Sequence, residues 1–87
     1  MIPIGMTPIR TPSECRPSSG RVWTLLEWIS VPGVGVRTGE TIAWLGCSDS
    51  TLALHSPVSG RMSEHWVEEG STVDGGQVVA LIESESG

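Results

Sequence analysis

Short apolar runs separated by Gly, Pro and Ser turns make up most of the chain, and no long window holds the 3.6-residue period of an amphipathic helix. Arg21 to Val31 (RVWTLLEWISV) is rich in Val, Trp, Thr and Ile and stops at Pro32-Gly33, so it reads as a strand that ends in a turn. Glu40 to Leu45 and Thr51 to Leu54 are two further strand-like runs, separated by Cys47-Ser48-Asp49-Ser50 and followed by Ser56-Pro57-Val58-Ser59-Gly60. Alternating residues on both sides of a short Ser/Asp turn predict a hairpin, with Ser48 and Asp49 standing clear at its tip because short polar side chains bond the local backbone. The same alternation points Ile42, Trp44, Leu52 and Leu54 toward the core. Gly33-Val34-Gly35 lacks the third glycine and the following helix of a dinucleotide-binding turn, and reads as a plain turn.

An internal repeat lies under this pattern. An offset of 37 residues lays Gly33 on Gly70, Val36 on Val73, Gly39 on Gly76, Ile42 on Val79, Ala43 on Ala80 and Leu45 on Ile82. Each copy reads as strand, glycine turn, valine, glycine turn, strand, too short to bury a core alone. Packing the two together predicts an all-β flattened barrel or sandwich of two antiparallel sheets with approximate two-fold symmetry. Upstream, prolines at 3, 8, 12 and 17 exclude a helix. Residues 1–8 read as a flexible tail and 9–85 as the domain, with Ile9 to Pro12 a candidate edge strand.

The hairpin resembles the attachment hairpin of the biotinyl and lipoyl carrier domains. In that family a glycine is followed ten residues later by the modified lysine and, eight residues after that, by a proline opening a Pro-Val-Ser-Gly-like turn. Gly39 and Pro57 keep this spacing without a gap, and Asp49 occupies the lysine position. Trp28, eleven residues before Gly39, and the run Val67 to Val73 with Gly76 and Leu81-Ile82-Glu83 extend the resemblance from about Val22 to Glu83. It implies a biotinyl/lipoyl-like barrel, the single hybrid motif, in a member that has lost its attachment chemistry. The chain contains no lysine at all, and a carboxylate cannot form the amide that holds biotinyl or lipoyl groups.

Composition narrows the function. Five scattered arginines and a formal charge of −5 argue against a nucleic-acid surface, and no stretch approaches the roughly 20 apolar residues of a membrane span. With no export signal evident, the chain reads as cytoplasmic and Cys15 and Cys47 as free thiols. The acidic and histidine residues show no metal-ligand spacing, so neither a metal nor a cofactor is expected. The expected role is therefore not enzymatic. It is that of a protein-binding or accessory subunit of an enzyme system, neither biotinylated nor lipoylated, docking an enzyme that recognises carrier-domain shape through Cys47, Ser48, Asp49 and Ser50. One alternative mounts an acyl group on Cys47 or Ser48. Another, a small enzyme, would pair Cys47 with His55. Four tryptophans are many for 87 residues, and one or two are expected at the surface as an interface.

Overall fold

Eight strands form in a computed structural model that describes residues 5–13, 22–47 and 50–84. They are β1 (Met6–Arg10), β2 (Val22–Trp28), β3 (Gly35–Val36), β4 (Thr41–Cys47), β5 (Ser50–His55), β6 (Gly60–His65), β7 (Thr72–Asp74) and β8 (Val78–Ser84). Two four-stranded sheets result, ordered β1-β8-β6-β3 and β5-β4-β2-β7, with every described pairing antiparallel. The expected all-β flattened barrel is what the chain adopts.

The repeat is legible down to single hydrogen bonds. Strands β4 and β8 begin and end at the same 37-residue offset, and β2, β3 and β5 correspond to β6, β7 and β1, so each sheet is built like the other. Glycines Gly39 and Gly76 have φ of 86° and 79°, a left-handed turn conformation that costs a side chain but not glycine. The amide of Gly39 donates to the Ser56 carbonyl and that of Gly76 to the Thr11 carbonyl, placing Ser56-Pro57 and Thr11-Pro12 as counterparts. In the same turns the Arg37 amide donates to Glu40 Oε1 and the Asp74 amide to Gln77 Oε1, each at 3.0 Å. The bulges repeat too. Leu26 interrupts the β2–β4 register where Ser63 interrupts β6–β8, and Ile42 interrupts β4–β5 where Val79 interrupts β1–β8.

The core lies between the sheets and is filled by counterparts: Leu25 and Met62, Ile42 and Val79, Ala43 and Ala80, Leu45 and Ile82, all essentially fully buried. Trp23 joins them and satisfies its indole N–H by donating to the Pro12 carbonyl at 3.0 Å. At Gly60 a Cβ would fall inside the Glu83 carbonyl, so the close approach of β6 to β8 requires glycine there.

Three expectations need correction. Strand β1 opens at Met6 and pairs with β8 from Met6 opposite Glu83, so Met6, Thr7 and Pro8 belong to a sheet and not to a tail over 1–8. Trp44 faces outward at 39% exposure because the bulge at Ile42 shifts the alternation: Ile42 and Ala43 are both buried, and Leu45 and Cys47 follow inward. Leu52 sits opposite the buried Leu45 and so on the inward side, yet is 41% exposed on edge strand β5, where cover is incomplete. Ile42 and Leu54 are buried as expected.

Candidate functional site

Strands β4 and β5 form the hairpin, and its last described rung pairs Cys47 with Ser50. That register leaves two residues for the connection, Ser48 and Asp49, which lie outside the described residues along with the expectation that they are exposed. Ser50 is half-buried. Cys47 is 4% exposed, belongs to the core cluster and is disulfide-bonded. The free-thiol expectation for Cys47 is therefore corrected, and Cys15 lies outside the described residues. The physical reason is that thiols pair according to where the fold brings their Cβ atoms, which separation along the sequence does not disclose.

With its sulfur in a disulfide, Cys47 offers no nucleophile for an acyl group. The Cys47–His55 pairing also fails on geometry. Cys47 stands opposite Ser50 while His55, at the far end of β5, stands opposite Thr41, a separation of about 17 Å at the rise of an antiparallel strand. His55 is exposed.

A second feature, missed in the sequence, lies on the two-fold axis. Trp28 and His65 are counterparts at the 37-residue offset, and their rings stack on each other with centroids 3.7 Å apart and planes within 6°. Residues that touch their own counterparts must lie on the axis. Trp28 Nε1 donates to the Val67 carbonyl at 3.0 Å, and His65 Nε2 donates to the Ser30 carbonyl at 2.8 Å, so each ring reaches the carbonyl two residues beyond its partner. A carbonyl only accepts, which places a proton on His65 Nε2. His65 is thus a stacked, hydrogen-bonded structural residue. The repeat offset itself was the signal that could have found this pair.

Around this stack the surface opens into two adjoining grooves. One is lined by Leu26, Glu27, Trp44, Thr51 and Glu69, the other by Trp28, His65, Trp66, Glu68 and Glu69 among others. Glu69 belongs to both, and its Oε2 accepts from the Trp28 amide at 2.8 Å. Trp44 and Trp66, at 39% and 49% exposure, are the tryptophans left at the surface. No group of three or more His, Cys, Asp or Glu residues among the described residues is placed to hold a metal ion. No helix among them is long and apolar enough to cross a membrane.

No family model and no curated protein matches the sequence. Among solved structures, the chain is similar to one described as a single-chain, multi-domain long-chain acyl-CoA carboxylase, with a TM-score of 0.80 at 16% identity. The match covers 99% of this chain and 8% of that one, so the chain spans a small fraction of the matched protein. At this identity the likeness establishes the fold, and it supports the biotinyl/lipoyl-like barrel.

Proposed function

We propose that the chain is a non-catalytic biotinyl/lipoyl-like domain that serves as a protein-binding or accessory part of an enzyme system, without itself carrying biotin or lipoate. One observation carries the reading: a chain with a barrel fold similar to part of a multi-domain carboxylase contains no lysine, and its sequence has Asp49 at the spacing where the family resemblance puts the attachment lysine. An aspartate accepts no acyl group as an amide, so the scaffold keeps its shape and loses the arm. A partner that recognises the carrier shape then reads the domain as a ligand.

Intact mass after co-expression with a biotin ligase and a lipoate ligase tests the first half of this reading. The expected mass is that of the unmodified chain, and a biotinyl or lipoyl adduct on any residue would sink it. The second half is tested by domain capture: immobilised protein should retain a purified carboxylase or acyltransferase component, and retention of none overturns the accessory role. An acyl group on Cys47 is not carried forward, because that residue is buried and disulfide-bonded. Alkylation of the denatured protein should label Cys47 only after reduction. Labelling beforehand would show Cys47 to be a free thiol in solution and favour a reducing compartment.

A further inference from the structure

We infer that the two adjoining grooves form one docking belt for a polypeptide segment that carries arginine or lysine beside an aliphatic side chain. The inference rests on the protein-binding reading above and adds where the partner sits and what it brings. Its apolar component is Leu26, Trp44 and Trp66, at 45%, 39% and 49% exposure. Its polar component is acidic: Glu27 and Glu69 flank Trp44 in one groove, and Glu68 and Glu69 flank Trp66 in the other.

The described arginines are placed elsewhere. Arg10 donates to the Gly76 carbonyl, Arg61 pairs with Glu83, and neither they nor Arg37 lines a groove. Among the described residues the belt therefore offers carboxylates and indole rings with no arginine of its own to neutralise them. A cation over an indole face is attracted by the ring's quadrupole, and a neighbouring carboxylate adds a charge-assisted bond. An aliphatic neighbour on the same segment would cover Leu26. The fold does not demand this surface, since the counterpart of Leu26 is Ser63, at the same bulge of the other sheet.

Nuclear magnetic resonance titration with three short capped peptides of equal length tests the assignment: arginine alternating with leucine, glutamate with leucine, and arginine with serine. The arginine/leucine peptide should shift the indole signals of Trp44 and Trp66 and the amides of Leu26, Glu27 and Glu69, bind tightest of the three, and weaken as salt rises. The variant L26S/E27Q should lose about tenfold in affinity while R61A binds unchanged. Equal binding of the glutamate peptide, no shifts at millimolar peptide, shifts confined to the β1-β8-β6-β3 face, or self-association through the belt would each overturn the inference. A purified enzyme component retained by the domain in contact with residues 47–50, with the belt signals unmoved, would remove this inference and leave the accessory role standing. Retention of no component would remove the accessory role as well.

Discussion

The outer faces of the two sheets are built on the same backbone plan and differ in the apolar surface they leave exposed. On the β5-β4-β2-β7 face, Leu26 lies over Gly46 and Trp44 stands uncovered beside it. At the counterpart positions of the β1-β8-β6-β3 face stand Ser63, Glu83 and Leu81, and Leu81 is buried to 1%. Arg61, the counterpart of Thr24, pairs with Glu83 at 3.4 Å across two exposed side chains, a contact worth at most about 1 kcal/mol. Where both halves keep a residue type, as at Ala43 and Ala80 or at the turn glycines, the fold requires it. Where one half is apolar and exposed and the other polar, as at Leu26 and Ser63, the shared backbone plan accepts either residue.

The comparison is broken most forcefully in the shared core. Leu25→Ala and Met62→Ala remove counterpart side chains, both fully buried, and each should cost about 3 kcal/mol in urea denaturation. A cost near zero for one of them would show that the halves do not share one core. Next comes Gly60→Ala, which forces β6 from β8 and should cost about 2 kcal/mol. Its counterpart in the repeat is the buried Trp23, so this is a point where the symmetry is already broken. His65→Phe keeps a ring against Trp28 but leaves the Ser30 carbonyl without its donor, and a loss of about 1 kcal/mol in the same assay is expected. Unchanged stability would mean that water replaces the imidazole. The smallest effects separate fold from interface. Leu26→Ser and Arg61→Ala should each leave stability within about 0.5 kcal/mol, so a larger loss from Leu26→Ser would give that exposed side chain a structural role.

The repeat, the turns and the paired glycines could all be read from the sequence, because each depends on a local residue choice at a fixed spacing. What alternation could not show was phase. A single extra residue at Ile42 turns Trp44 to solvent, and nothing in the run Thr41 to Leu45 announces the bulge. Strand β1 was half seen, since Pro8 reads as a breaker although an edge position accepts it. The hairpin around Cys47 and Ser50 was legible from its Ser/Asp turn, whereas the disulfide state of Cys47 was not, because the fold and not the spacing decides which sulfurs meet. The belt was invisible for a related reason: Leu26 on β2, Trp44 on β4 and Trp66 just after β6 are far apart in the chain, and they meet only because β2 pairs with β4 and the Trp28–His65 stack holds the end of β6 against β2.

Because β1 runs beside β8, the Ser84 amide donates to the Gly5 carbonyl at 2.8 Å, in the place that the Cys47–Ser50 rung occupies in the other sheet. Residues 5 and 84 are thus neighbours across one strand spacing, about 5 Å. A circular permutant that joins these two points with a short linker and reopens the backbone between Ser48 and Asp49 would retain all the described rungs. Either end of the barrel can thus serve as the point where a larger polypeptide enters and leaves.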